Sequence, residues 1–529
     1  MMKLGKRAGA GRSGFTRSIA VLALVVLVSG SSLVGPLPAL AASSLETGPI
    51  GTAALPVSAA HKDANSPTTT LPGPLFIPLM SKNRCNKDSD PSIFGVQMYG
   101  STGKSSPYQS SLVGSNAKWV RVAVNWDQVE PSNTTPNNYN WTQPDLAFSG
   151  ADDSCVTIIA THDMQPSWAA TYTKGPVDRV PLSELQQYFR ALVERYDGDG
   201  IDDAPGSPVV NYWEMYNEPD AYCECSPGGW GKYPGKYAAM LKAVYPVIKD
   251  ANPNAQVLFG GVLMDNYTEW GGEFYRTFFD DVLDAGGGDY FDIMNLHTYV
   301  GPFSRHYPAL GIGEKAAEVR ASMSEYRLDK PIIITETGWH SNDTVYDKCR
   351  PNETYAACDP DTLDYVNTEE HQARYVPQIY ARGIQANYTA IIWWMLWDTG
   401  GDYQYDNGLV TGDNPPVAKP AYTAYIVAER MLGDTIFIRE HPASETGSAN
   451  ANVLEFHDSL KQRTVIVAWI APVIADEVDT VDLYLPQATV YDPYGNAVAN
   501  VSDADDGTVD GRITIANVGA QPKYIVSNY

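Results

Sequence analysis

Between about residues 92 and 431, short apolar runs alternate with longer stretches whose apolar positions recur every three or four residues. The runs of strand length are Ile93–Met98, Trp119–Asn125, Cys155–Thr161, Val209–Tyr216, Val257–Leu263, Phe291–Thr298, Pro331–Thr335 and Ala390–Trp397. Tyr237, Met240, Leu241, Val244 and Ile248 share one helical face, and further helices are expected over roughly 183–196, 273–285, 313–328, 367–385 and 419–431. Eight strands alternating with helices predict an α/β fold, a (β/α)8 TIM barrel over residues 92–431. The periodicity alone also admits a doubly wound open sheet. After residue 432 the pattern shortens. Val453–Phe456, Arg463–Trp469, Thr480–Leu485, Thr489–Tyr491, Arg512–Ala516 and Lys523–Val526 read as strands, punctuated by turns such as Asp492-Pro-Tyr-Gly495. They predict a small C-terminal antiparallel β-sandwich over 432–529 that packs on the barrel.

The first 91 residues have a different texture. Lys3, Lys6, Arg7, Arg12 and Arg17 precede the unbroken apolar run Ile19–Val28, and Ala39-Leu-Ala41 has the small-residue pattern of a cleavage site. Residues 1–41 therefore read as an export signal, and the mature protein is expected to be secreted or extracellular, with cell-surface association open. A run of ten is too short to span a bilayer. Residues 42–91 form an Ala/Ser/Thr/Pro-rich linker and N-terminal segment, with a short apolar patch at Leu75–Met80.

The chain carries 37 basic and 62 acidic residues. Removing residues 1–41, which hold five basic residues and no acids, leaves 32 against 62 and a net charge of −30. Such a surface repels nucleic acid and anionic lipid, so a neutral partner is expected. The six cysteines permit disulfides in an exported protein. Cys349 with Cys358 is one expected pair and Cys85 with Cys155 another, whereas Cys223 and Cys225 stand too close together for an unstrained bond. No Cys-x-x-Cys or His-rich spacing suggests zinc. The loop Asp197–Asp203 is read as a solvated acidic loop before a calcium site, since it lacks the twelve-residue EF-hand pattern.

Candidate chemistry sits at the strand ends, where barrel loops begin. Glu218, in Asn217-Glu-Pro219, follows the fourth strand, and Glu336, in Thr335-Glu-Thr-Gly338, follows the seventh. Two carboxylates facing one another are what glycosidic bond cleavage requires. Arg121 stands on the second strand, His162 ends the third, His297 and Tyr299 end the sixth, and Trp393 lies on the eighth.

These motifs, 118 residues apart, resemble the retaining glycoside hydrolases of clan A. The resemblance covers about residues 92–431. It implies a (β/α)8 barrel with Glu218 as acid/base and Glu336 as nucleophile, acting on a β-linked oligo- or polysaccharide without a metal or organic cofactor. It implies that Arg121 keeps Glu336 ionised, that Asn217 reaches a sugar 2-hydroxyl, and that Tyr299 bonds the nucleophile. His162 and His297 would bind substrate, and Trp393 would form the apolar floor beneath the sugar. Trp168, Trp230, Trp270 and Trp339 are candidates to line subsites. The C-terminal sandwich and Trp126-Asp-Gln-Val-Glu-Pro131 resemble family 39 or its relatives, with the family 5 group as the alternative. Other readings are a non-catalytic glycan-binding or cell-surface protein on the same barrel, and a transglycosylase. For retention the carboxyl groups should stand about 5–5.5 Å apart, against about 6.5–9.5 Å for inversion.

Overall fold

A computed structural model describes residues 92–100, 102–221, 229–299, 311–341, 368–399, 406–471, 476–505 and 507–528. The expected export signal, the linker with its Leu75–Met80 patch, Cys85, Cys223, Cys225, Cys349, Cys358 and the side chain of Trp270 lie outside the described residues. Cys155 is disulfide-bonded.

Eight parallel strands form the barrel: β1 Phe94–Gln97, β2 Trp119–Asn125, β3 Thr157–Asp163, β4 Tyr212–Met215, β5 Gln256–Leu258, β6 Met294–Tyr299, β7 Ile332–Gly338 and β8 Ile391–Trp393. The sheet runs β5-β4-β3-β2-β1-β8-β7-β6. Parallel bridges Leu258↔Ile293 and Val262↔Leu296 join its two ends, so the sheet closes and the doubly wound alternative falls away. Helices such as Leu182–Arg195, Pro234–Ala251, Ile312–Glu325, Glu369–Gln385 and Pro420–Leu432 follow strands and cover the outside.

Strand alternation sorts the side chains into an outer and an inner set. Ile159, Leu258, Ile293, Ile333, Ala390 and Ile392 pack together inside the barrel, with Trp119 and Tyr212 against them. Ile392 and Trp119 explain Gly95 on β1, where a Cβ would stand 2.3 Å from Ile392 Cδ1 and 2.9 Å from Trp119 Cβ. Above this apolar layer the inward positions become polar. Gln97, Arg121, Thr161, Glu214, Asn295 and Thr335 are all buried, and the hydrogen bonds described below account for each of them. The site stands on that layer.

After the barrel come β9 Thr435–Glu440, β10 Ala451–Asp458, β11 Arg463–Ile470, β12 Asp479–Leu483, β13 Gln487–Tyr491, β14 Ala497–Ser502, β15 Ile513–Val518 and β16 Lys523–Asn528. They form a six-stranded sheet, β14-β13-β16-β11-β10-β9, and a two-stranded one, β12-β15, antiparallel throughout. The sequence pattern does not reveal β9 or β14, because much of each is solvent-facing. On β11, Ile466 and Ala468 join Val481, Leu483, Ile513 and Ile515 between the two sheets. Val465, Val467 and Trp469 turn the other way and join the core that surrounds the barrel. That double burial is why this strand reads as a continuous apolar run. Arg382 of helix Glu369–Gln385 fixes the contact, pairing with Glu440 at 3.0 Å and lying over the Trp469 ring at 5.3 Å.

This shared core sets a stability test. Leu454 on β10 is fully buried in it. Leu454→Ala should cost about 2–5 kcal/mol in urea unfolding. Barrel and C-terminal sheets should still unfold in one transition, and two separated transitions would contradict a common core.

Candidate active site

The Arg121 guanidinium is 2% exposed and spends all five of its N–H donors inside the protein. Nε donates to Glu214 Oε2 at 2.6 Å and Nη2 to Glu214 Oε1 at 3.0 Å, a bidentate pair. Nη2 also donates to Asn217 Oδ1 at 2.7 Å. Nη1 donates to Gln97 Oε1 at 2.8 Å and to Glu336 Oε1 at 2.6 Å. Burial opposes the charge, but Glu214 and Glu336 outweigh it and hold the guanidinium protonated. Glu214 is itself fully buried and accepts from Thr161 Oγ1 at 2.6 Å, Asn295 Nδ2 at 2.9 Å and Thr335 Oγ1 at 3.0 Å. Glu214 belongs to no motif in the sequence. The signal was an acid in mid-strand, between Trp213 and Met215 in the otherwise apolar β4.

Glu336 reaches the site through a break in alternation. The β6–β7 register shifts so that Leu296 pairs with Ile334 but His297 pairs with Glu336. One extra residue on β7 lets consecutive side chains face inward, Thr335 towards Glu214 and Glu336 towards Arg121. Tyr299 OH donates to Glu336 Oε2 at 2.9 Å. Burial alone would raise the Glu336 pKa. The neighbouring His297 and Arg121, with the Tyr299 hydrogen bond, outweigh it and push the carboxylate below its ordinary range. Arg121, Asn217, His297 and Tyr299 therefore all stand with the two glutamates.

Glu218 is placed by backbone that L-residues rarely adopt. Tyr216 has φ 69° and Glu218 has φ 45°, both in the left-handed region, at a cost of about 1–3 kcal/mol each. Glu218 Oε1 lies 3.0 Å from His297 Nδ1, and Glu336 Oε2 lies 3.6 Å from the same nitrogen. One ligand atom from each of Glu218, His297 and Glu336 lies within 4.8 Å of the others. Gly261 makes room for the imidazole, since a Cβ there would stand 2.1 Å from His297 Nε2.

The proton on this histidine can be deduced. Thr335 Oγ1 lies 3.0 Å from Glu214 Oε1, from Asn295 Oδ1 and from His297 Nε2. The first two are acceptors only, so the single hydroxyl proton goes to the charged one, Glu214, and His297 Nε2–H donates to Thr335. The 3.0 Å contact between His297 Nδ1 and Glu218 then shares a second proton. Burial opposes charge on His297, but Glu336 and Glu218 outweigh it and raise its pKa.

Two expected residues stand elsewhere. His162 follows the inward-facing Thr161, so alternation turns it outward. It is buried among Trp126, Tyr188, Phe189 and Tyr216, and burial pushes its imidazole down to about 3. Trp393 is likewise turned out of the barrel, against Tyr375 of helix Glu369–Gln385, with its indole N–H on the Asn407 carbonyl at 2.8 Å. On β8 the inward position is that of Ile392, and two residues on, just past the strand, comes Trp394. It is Trp394 that meets Tyr299 edge-on at 6.3 Å and donates to Tyr99 OH at 3.2 Å. Beyond it Trp397 stacks on Tyr108 at 4.1 Å. Trp230 belongs to the core, packed on Tyr216 and Tyr237. In the loop Asp197–Asp203, Asp197, Asp199 and Asp203 accept hydrogen bonds from the loop's own backbone.

No protein-family model and no curated protein matches the sequence. Solved structures do. A family 39 glycoside hydrolase from Bacteroides cellulosilyticus WH2 is 19% identical with a TM-score of 0.60, covering 84% of this chain and 82% of its own. A GH39 β-xylosidase from Caulobacter crescentus is 14% identical with a TM-score of 0.52, covering 83% of this chain and 98% of its own. A GH30 endoxylanase from Clostridium papyrosolvens C71 is 14% identical with a TM-score of 0.51, covering 83% of this chain and 97% of its own. The fold is that of clan A glycoside hydrolases.

The geometry predicts two responses. Glu214→Leu leaves the Arg121 charge buried with its main partner gone, and should cost about 3–5 kcal/mol in chemical denaturation. Glu336 has a lowered pKa in the folded state, so its ionised form contributes stability that is present above the unfolded carboxyl value of about 4.3 and is lost as pH falls through the lower folded value. Glu336→Gln should flatten that acid limb of the stability–pH curve; an unchanged limb would contradict the Arg121–Glu336 pairing.

Proposed function

We propose that this chain is a retaining glycoside hydrolase acting on a β-linked sugar. The observation that carries this reading is the carboxylate pair itself. Glu218, after β4, and Glu336, on β7, face one another across one site, with an oxygen of each within 4.8 Å of the other. That is close to the roughly 5–5.5 Å of retaining enzymes and leaves no room for the water that inversion needs.

Their surroundings divide the labour. Glu336, held ionised by Arg121 and Tyr299, attacks the anomeric carbon. The bond to the leaving oxygen breaks as that oxygen takes the proton shared between Glu218 and His297. The sugar is left as an ester on Glu336. Glu218, now a base, removes a proton from water, whose oxygen attacks the anomeric carbon and releases the Glu336 carboxylate. Arg121 occupies the oxygen of Asn217, which leaves its Nδ2 hydrogens for the sugar 2-hydroxyl. Trp394, in place of Trp393, provides the apolar surface beside the sugar. These steps use only side chains of the protein. Among the described residues no helix is long and apolar enough to cross a membrane. In this reading residues 1–41 direct export, and the secreted protein should begin at Ala42 on N-terminal sequencing.

The test is a panel of aryl β-glycosides, including xylosides, glucosides and mannosides. The β-anomer should appear first by NMR. Glu218→Gln should slow turnover by about 10²–10⁴-fold, and Glu336→Gln should abolish it. Turnover that survives both substitutions would refute the mechanism. The alkaline limb of kcat/KM should lie above the ordinary histidine value of about 6.5, because His297 is raised. His297→Gln should move that limb to lower pH; a limb that stays in place would separate His297 from the catalytic proton.

A further inference from the structure

Asp163 ends β3, two residues beyond Thr161. Thr161 bonds Glu214 inside the barrel, so Asp163 stands on the same side, one step nearer the mouth. It is 7% exposed. Its Oδ2 pairs with Lys174 Nζ at 3.2 Å, while its buried Oδ1 has no partner among the described residues. Lys174 is itself 11% exposed and comes from the loop after β3. Gln165 clamps that loop, its backbone N–H donating to Thr173 O at 2.6 Å and its side chain to Gly175 O. Burial opposes the Lys174 charge, but Asp163, with Glu218 and Glu336, outweighs it and raises its pKa, so the ammonium stays charged.

We propose that Asp163 and Lys174 form a recognition subsite beside the glutamate pair, binding one hydroxyl of a neutral sugar unit. This rests on the glycosidase reading and deepens it. An ion pair built only for packing would satisfy both carboxylate oxygens, since a buried acceptor left empty costs about 1–3 kcal/mol. A sugar hydroxyl fits the pair because it accepts from the ammonium and donates to the empty oxygen at once. An anionic substituent does not fit. Asp127 in the short helix Trp126–Val129 after β2, Asp163, Glu218 and Glu336 outnumber Lys174 and Arg121, and every donor of Arg121 is already taken. The Asp127 Oδ1 is also buried without a partner, and burial, with Asp163 nearby, raises this carboxyl to about 6.

The experiment uses the full chain with its best aryl β-glycoside and the set of singly deoxygenated analogues of that sugar, on the natural protein, Asp163→Asn and Lys174→Met. For one analogue the natural protein should lose roughly 10- to 100-fold in kcat/KM. Both variants should lose a similar factor on the parent glycoside, and should handle that one analogue as the natural protein does. A variant that treats the parent normally, or loses equally on the parent and every analogue, would overturn the subsite. Lys174→Met, in a loop, carries the test alone if Asp163→Asn fails to fold. No turnover of any glycoside by the natural protein would overturn the glycosidase reading itself.

Discussion

A single buried guanidinium organises the barrel. Arg121 on β2 and its partner Glu214 on β4 are tied to β1, β3, β6 and β7 through Gln97, Thr161, Asn295, Thr335 and Glu336, and to Asn217 past β4, so the pair links six of the eight strands. Burying two charges is expensive, and such a pair is tolerated only when every donor and acceptor finds a partner. Here all five guanidinium N–H groups do. The fold around them is therefore constrained to one arrangement of strand ends. The apolar layer of Ile159, Leu258, Ile333 and Ile392 beneath supplies the burial, and the polar layer above fixes the geometry.

The chemistry follows from an asymmetry in that polar layer. Glu336 receives a donor on each oxygen, and its environment favours charge. Glu218 faces His297, whose other nitrogen is committed to Thr335, so the contact between them holds a proton. In the proposed mechanism the two carboxylates differ accordingly, Glu336 attacking and Glu218 giving and taking the proton. The backbone contributes as well, with the β7 bulge re-aiming Glu336 and the left-handed Tyr216 and Glu218 turning the end of β4.

Much of this was legible in the sequence. Eight strand-length apolar runs predict the eight strands but leave a closed barrel and an open sheet both possible, and counting them places Asn217-Glu218 and Thr335-Glu336 at strands four and seven. Arg121, His297 and Tyr299 follow from their strand positions. What was not legible depends on which way a side chain points. His162 and Trp393 are placed in the site by the clan resemblance, yet each sits one residue off the inward register. Trp394 and Glu214 occupy the inward positions and were missed. Alternation would have corrected both errors once Thr161 and Ile392 were known to face in, but a single sequence does not fix that phase. The β7 bulge breaks alternation outright, so only the backbone shows that Thr335 and Glu336 both point inward. The edge strands β9 and β14 escaped notice because solvent-facing strands lack an apolar signature.

The account stands or falls on a covalent bond to Glu336. An activated 2-deoxy-2-fluoro-β-glycoside of whichever sugar the protein turns over should slow release of the glycosyl-enzyme enough for mass spectrometry of the digested protein. One added fluoroglycosyl mass is expected on the peptide containing Glu336, and none on that containing Glu218. Inactivation with the label on Glu218, or turnover with no covalent adduct, would contradict it.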